Sequence, residues 1–496
     1  MRLPILLSAT AVVLATASPH AKRAAIDDCL KEAKVPVTAR NSTQWKTDAG
    51  PFNDRLAYDP VAVAVPTTVE HIQAAVSCAA ELGVKVNPKS GGHSYASFGL
   101  GGEDGHLVVE LDRMYNVTLD PETHIATVQP GARLGHIATV IYEEGKRAFS
   151  HGTCPGVGVG GHSLHGGFGF SSHTHGLAVD WITSADVVLA NGSLVTASET
   201  ENPDLFWALR GAGSNFGIVA SFRFKTFAVP QNVTSYEVNL PWSNSTNMVK
   251  GWGALQGWLL NGSMPEEMNM RILGNGFQTQ LQGLYHGNSS ALKTAIDPLL
   301  KLLGAKLSNV KDYDWMEGFE HYAYTNNVDV TEPDYDQSET FYSKSLVTSA
   351  LPADVLKSVA EYWIKTAKKV TRSWYIIIDL YGGPNSAITR VPPEATSYAF
   401  RDPKKHLFLY QLYDRSFGVY PDDGFEFLDG WVDAFTGGLD AEQWGMYINY
   451  ADPRLDRAEA QDVYYRQNLP RLRQIKKQVD PAEVFYYPQA VEPAEA

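Results

Sequence analysis

Residues 151–170 read HGTCPGVGVGGHSLHGGFGF, and eight of these twenty residues are glycine. Glycine lets the backbone adopt positive φ and lets another group approach it closely. One cysteine, Cys154, lies inside the run, and a second glycine loop upstream, KSGGHSY at 89–95, carries His93. Loops of inward-facing backbone N–H groups make good pyrophosphate cradles. The two loops therefore read as the seat of a flat, phosphate-bearing cofactor, with His93 and Cys154 bonded to it. An inert buried thiol is the alternative for a lone cysteine, and the residues by themselves leave both open.

Three other constellations can do chemistry. Gly156-x-Gly158-x-x-Gly161, with Asp180 nineteen residues further on, matches a nicotinamide-dinucleotide fingerprint by spacing. That fingerprint requires a helix opening at its last glycine. Gly166, Gly167 and Gly169 follow at once and are expected to break one, so the nicotinamide reading is set aside. His162 with His165, and His173 with His175, have ligand-like spacing, but no acidic or thiolate cluster completes a set. Ordinary hydrogen-bonded histidines and no metal are expected. Asp379 closes the apolar run YIIID, and Tyr450 lies in YINYAD. Each is either a structural residue or a placed acid or base. On a strand, Asn449 and Tyr450 would face opposite sides.

Positioning such groups takes a framework. The chain has 496 residues, enough for two or three domains, with 44% hydrophobic and 19% charged residues, a globular composition. A net charge of −14 argues against nucleic acid and anionic membranes as partners. Met1-Arg2 and the apolar stretch 3–15 read as a secretory signal. The dibasic Lys22-Arg23 places a plausible mature start at Ala24. Seven N-x-S/T sites, at Asn41, Asn116, Asn191, Asn232, Asn244, Asn261 and Asn288, fit a secreted, extracellular glycoprotein. Of three cysteines, Cys29 and Cys78 are expected to form a disulfide, leaving Cys154 over.

Apolar periodicity predicts strand, helix and strand between 58 and 90, with the second strand at 84–86. Strands are expected at 107–111 and 125–128, then a helix at 134–142. A hairpin is expected around Asn191-Gly192, and a helix, glycine turn and strand over 201–225. Beyond residue 226, where eight of eleven tryptophans lie, strands are expected at 235–240, 269–274, 278–285, 374–381, 406–413 and 445–450. Helices are expected at 248–260, 291–303, 353–368 and, as one piece, 457–479. The fold class is α+β, with an antiparallel sheet and helices on one face.

KSGGHSY, HGTCPGVGVGGH, NPDLFWALRGAGSNFGIV and YINYAD, in this order and separation, resemble the berberine-bridge-enzyme-like branch of the vanillyl-alcohol-oxidase flavoproteins. Within it they are similar to the fungal oligosaccharide oxidases, over nearly the whole mature chain. The resemblance implies two domains of vanillyl-alcohol-oxidase type. The FAD-binding domain would be 24–227 with 446–496, and the substrate domain 228–445, after a signal and propeptide at 1–23. It implies FAD bonded through His93 to the flavin 8α-methyl carbon and through Cys154 to C6. Ser90, Gly91, Gly92 and Ser94 match the pyrophosphate loop. Val157, Gly158, Gly161 and Val219 match cofactor-lining positions, Val157 being the residue that favours dioxygen as acceptor. Tyr450 matches the general base and Asp379 the carboxylate that activates it. Tyr95, Glu339, Tyr375 and Gln411 match sugar contacts, while Leu273 and Ile377 replace polar family residues. The implied activity is oxidation of the anomeric C1 hydroxyl of reducing-end oligosaccharides, giving a lactone and hydrogen peroxide. The implied partners are an oligosaccharide and dioxygen, with the chain a monomer. The alternative within the family is an oxidase or dehydrogenase of an alcohol or secondary metabolite.

Overall fold

The apolar run 61–65 folds at its centre into β1 (Ala62–Ala64), and Thr68 caps the next helix, Val69–Glu81, by accepting from the His71 N–H. A computed structural model describes residues 19–331 and 337–495. The secretory signal expected at 1–18 lies outside the described residues. Lys22, Arg23 and Ala24 fall inside a helix, Pro19–Glu32. β2 (Val86–Lys89) starts two residues later than expected and feeds directly into Ser90. With β3 (Leu107–Glu110) it makes a three-stranded parallel sheet of order β1-β3-β2.

A second sheet is antiparallel. It comprises β4 (Val117–Leu119), β5 (Ile125–Val128), β6 (Ile182–Val188), β7 (Leu194–Ser198) and β8 (Ile218–Lys225), in the order β4-β5-β8-β6-β7. The third sheet has eight antiparallel strands: β9 (Val233–Asn239), β10 (Met268–Asn275), β11 (Thr279–Tyr285), β12 (Leu307–Tyr313), β13 (Thr340–Thr348), β14 (Ser373–Leu380), β15 (Phe408–Ser416) and β16 (Trp444–Gly445). Their order is β12-β9-β11-β10-β14-β15-β13-β16. Helices Ser245–Leu260, Ala353–Lys365 and Asp422–Thr436 cover one face, on which Trp252, Trp363 and Trp431 are fully buried. The other face is left for the site. Among the described residues no helix is long and apolar enough to cross a membrane.

Four expectations need correction. A short helix, Val159–Leu164, does form after Gly158, ending where Gly166 turns to φ 118°; the later glycines limit it rather than prevent it. The strand expected at 445–450 stops at Gly445, and Ile448–Tyr450 is a 3-10 turn. There the Met446 N–H is taken by the Val463 carbonyl and the Tyr447 N–H by the Ser345 hydroxyl, so sheet pairing cannot continue. The face argument for Asn449 and Tyr450 therefore does not apply. The terminal helix is two, Arg457–Tyr465 and Leu469–Val479, separated at Arg466 (φ 46°) just before Pro470, which suits only a helix start. Strands β12 and β13 and helices Trp315–Ala323 and Asp422–Thr436 were not anticipated. β13 hides because its middle is polar. Lys344 there pairs with Asp429 and Asp452, and the Ser345 hydroxyl donates to the Tyr447 carbonyl.

Candidate active site

The two glycine loops meet backbone to backbone. A Cβ on Gly91 would lie 2.3 Å from the Gly158 nitrogen, and one on Gly158 would lie 2.0 Å from the Gly91 nitrogen. Only glycine fits at either position. Gly92 holds φ 77°, a left-handed conformation open to glycine. The Ser90 hydroxyl donates to the Pro130 carbonyl (2.5 Å) and accepts from the Gly160 N–H (3.3 Å), and Arg133 donates to the carbonyls of Gly91 and Gly156. Above this crossing is a cavity of about 630 Å³, lined by Ser90 through Tyr95, Cys154, Val157, Gly158, Gly161 and Val219. The loops leave space and undecorated backbone where a phosphate-bearing cofactor would need it, with an imidazole and a thiol in the same cavity. The residues present thus fit a flavin dinucleotide. Cys154 is exposed and takes no part in a disulfide, and Cys29 pairs with Cys78 as expected.

Strand alternation supplies the opposite wall. Along β14, Trp374, Ile376 and Ile378 are buried on the helix side, Trp374 against Phe427 and Trp431. Tyr375, Ile377 and Asp379 line the cavity. The register places Arg271 and Leu273 of β10 across from Asp379 and Ile377. Gln411 and Tyr413 of β15 stand across from Ile377 and Tyr375. The Tyr375 and Tyr413 rings stack with centroids 4.7 Å apart. Gln411 Nε2 donates to the Tyr95 hydroxyl at 2.9 Å. Glu339 is not part of the cavity lining. It accepts from the Tyr413 hydroxyl at 2.5 Å and pairs with Arg415.

Tyr450 enters from the 3-10 turn. Its N–H donates to the Tyr447 carbonyl (2.9 Å), and its ring stacks on Tyr95 (5.8 Å) and meets Tyr447 edge-on (5.2 Å). The Tyr447 hydroxyl accepts from the Gly167 N–H (2.8 Å) and from Asn449 Nδ2 (2.9 Å), which ties the turn to the glycine run. Burial pushes the Asp379 carboxyl up to about 7, against the pull of Arg271. Burial first, and then the Asp379 charge, hold the Tyr450 phenol well above the ordinary tyrosine value. A near-neutral carboxyl and a tyrosine thus share one cavity, coupled through charge, which suits relayed proton removal.

The histidines in the glycine run are structural. Burial depresses His162 to about 3, and its Nε2 accepts from the Gly152 N–H at 3.0 Å. His165, depressed to about 4 by burial, bridges the Gly161 carbonyl (2.9 Å) and Ser214 (3.0 Å). Among the described residues no group of three or more His, Cys, Asp or Glu forms a metal site. Sequence reasoning missed Phe52, whose ring stacks on His93 with centroids 4.4 Å apart, and Arg271 and Tyr413. Arg271 was visible only as one position of an alternating strand, since its partner across the sheet depends on register. Phe52 belongs to no periodic segment and gave no signal.

The chain is similar to known proteins over nearly its whole length. Residues 60–198 match the family described as FAD binding domain, and residues 446–492 match the family described as berberine and berberine like. The chain is 85% identical over 493 residues to a xylooligosaccharide oxidase of Thermothelomyces thermophilus, covering 99% of each. A solved structure of xylooligosaccharide oxidase from Myceliophthora thermophila C1 in complex with xylobiose superposes with a TM-score of 0.94, at 85% identity, over 95% of this chain and 100% of that one. Another, the glucooligosaccharide oxidase from Acremonium strictum, is described as holding 6-S-cysteinyl, 8α-N1-histidyl FAD. It superposes with a TM-score of 0.91, at 43% identity, over 95% of this chain and all of that one.

Proposed function

The chain belongs to the berberine-bridge-enzyme-like, FAD-linked oligosaccharide oxidases, and from that membership we propose that its preferred substrate is a xylo-oligosaccharide. It is an FAD-dependent oxidase of reducing-end sugars, converting the anomeric C1–OH to the 1,5-lactone, with dioxygen leaving as hydrogen peroxide. The observation that carries the assignment is the convergence of Asp379 and Tyr450 with the His93 and Cys154 loops on one cavity.

His93 and Cys154 would hold the flavin ring, and Ser90, Gly91, Gly92 and Ser94 the pyrophosphate. Bound FAD supplies a two-electron acceptor for the C1 hydrogen and the means of passing those electrons to dioxygen. The chain's own residues handle the proton and the sugar. Tyr450 takes the proton from the anomeric hydroxyl and passes its own to Asp379. An unassisted tyrosine, titrating near 10 or above, is too seldom ionised to serve alone. Asp379, ionised above about 7, is the sink that makes Tyr450 a base. Tyr375, backed by the stacked Tyr413 ring, offers an aromatic wall for a sugar ring, and Tyr95 with Gln411 offers a polar edge. The apolar Leu273 and Ile377 sit opposite each other on that wall and suit a pentose, which lacks an exocyclic hydroxymethyl group. Val157, lining the cavity beside Cys154, is our candidate for admitting dioxygen.

Peroxide release from xylobiose, cellobiose, lactose and chitobiose tests the substrate. The highest kcat/KM is expected on xylobiose, and an equal or higher value on cellobiose removes the xylo- assignment. Extracellular location and glycosylation are part of the same proposal. All seven sequon asparagines are exposed and the Cys29–Cys78 bond suits an oxidising compartment. Endoglycosidase treatment of protein from culture medium should lower its mass. An unchanged mass removes the glycan claim.

A further inference from the structure

Phe52 lies outside every helix and strand, yet its position is closely determined. Its carbonyl accepts from the Glu339 N–H at 3.0 Å, and the Asp54 N–H donates to the Glu339 carbonyl at 3.0 Å. Asn53, 1% exposed, donates from Nδ2 to the Tyr95 carbonyl at 2.9 Å. Arg55 Nε donates to the Phe341 carbonyl at 3.2 Å. Residues 52–55 are therefore a strap joining the His93–Tyr95 loop to the start of β13. On it, the Phe52 ring stacks on His93 (4.4 Å, 24° between planes) and on Tyr95 (6.2 Å, 13°), and Phe341 closes the group edge-on at 5.9 Å.

We infer that Phe52 is a positioning residue for the bond between His93 and the flavin. An imidazole carries its lone pair and N–H in the ring plane. A ring stacked on its face fixes that plane without covering either nitrogen. Forming a bond to the 8α carbon needs a nitrogen held in line with that carbon, and such alignment is where orientation contributes most to rate. In the step itself an N–H bond of His93 and a C–H bond of the 8α-methyl break and the N–C bond forms. The two electrons and two hydrogens released pass by way of the flavin to dioxygen, giving hydrogen peroxide. Cys154 lies on the other glycine loop, away from residues 52–55 in the chain, so its bond to the flavin should form without Phe52. The inference rests on the bicovalent reading of the cofactor site.

The test compares wild type, Phe52→Ala, Phe52→Leu and Phe52→Tyr, each produced as the full chain with FAD. Acid-denatured protein is digested and the flavin-bearing peptides weighed. Wild type and Phe52→Tyr are expected to give the His93 and Cys154 peptides cross-linked by one flavin. Phe52→Ala and Phe52→Leu are expected to give flavin on the Cys154 peptide alone, with His93-linked flavin down at least tenfold. Leucine keeps the apolar volume, and retained Cys154-linked flavin absorbance marks a folded site. His93 linkage at the wild-type level in the leucine variant overturns the inference, as does its loss in Phe52→Tyr. Absence of His93 linkage in wild type would instead defeat the bicovalent reading.

Discussion

At the scale of single residues, the site separates into groups that recognition and spacing could name and groups that only register could. His93, Cys154 and Tyr450 sit in motifs and Asp379 ends an apolar run, so the chain marks them as candidates. Arg271 does not. It matters because β10 and β14 align it with Asp379, and no local pattern encodes which strands become neighbours. Tyr450→Phe removes the proposed proton acceptor and should slow flavin reduction by sugar roughly 10²- to 10⁴-fold, with FAD still bound. Stopped-flow bleaching measures it, and a near-normal rate excludes Tyr450 as the base. Asp379 must be ionised to accept a proton, and its carboxyl sits at about 7. The pH profile of kcat/KM should therefore fall on its acid side as pH drops below about 7. Arg271→Gln removes the neighbouring charge that favours the carboxylate, so that limb should move to higher pH. An unmoved limb dissociates Arg271 from the carboxylate.

At the scale of elements, apolar runs were the dependable signal. β14 was legible because residues 374–378 form an unbroken apolar run that ends at Asp379. β13 was not, since Lys344 and Ser345 are buried through partners, Asp452 and Tyr447, distant in sequence. The glycine run was legible as a loop, but its short helix was not, because a local propensity penalty is small beside the tertiary fit that fixes Val159–Leu164. The loop crossing gives a sharp contrast. Gly158→Ala pushes a methyl to 2.0 Å from the Gly91 nitrogen, an overpacking that typically costs about 1–3 kcal/mol or more. The variant should melt at lower temperature and hold less flavin. At Gly161 no atom beyond its chain neighbours and its own helix backbone lies within 4 Å of an added Cβ, so Gly161→Ala should keep the melting temperature of the cofactor-free protein. Calorimetry on both variants separates backbone clash from cofactor contact.

Over the whole molecule, stability should depend on acidity in a direction the buried side chains fix. Burial holds His162 and His286 near 3 and His165, His173, His175 and His406 near 4, whereas an unfolded histidine titrates near 6.5. Between about pH 6.5 and 4 the unfolded chain binds protons that the folded one does not. Stability is therefore full above 6.5 and is lost progressively as pH falls towards 4. Glu110 and Asp379, both raised to about 7 by burial, and Asp27, Asp112 and Asp414, also raised by burial, act in the opposite sense, but with His106, His151 and His321 also depressed by burial the lowered histidines among the described residues outnumber the raised carboxyls. Melting temperature should drop across this window, and a flat profile would contradict the burial of the histidines. Replacing Cys29 and Cys78 by serine opens a link between residues 49 apart and should cost about 2–4 kcal/mol, measurable by denaturant titration. The strap at 52–55 carries a consequence in time. Its anchor at Phe341 lies 286 residues beyond Arg55. At about 5–20 residues per second, a ribosome needs roughly 15–60 s to supply it. A nascent chain that already displays both glycine loops thus waits for residue 341 before His93 is clamped, and on the inference above the His93–flavin bond, unlike the Cys154 one, is timed to synthesis of the far half of the polypeptide.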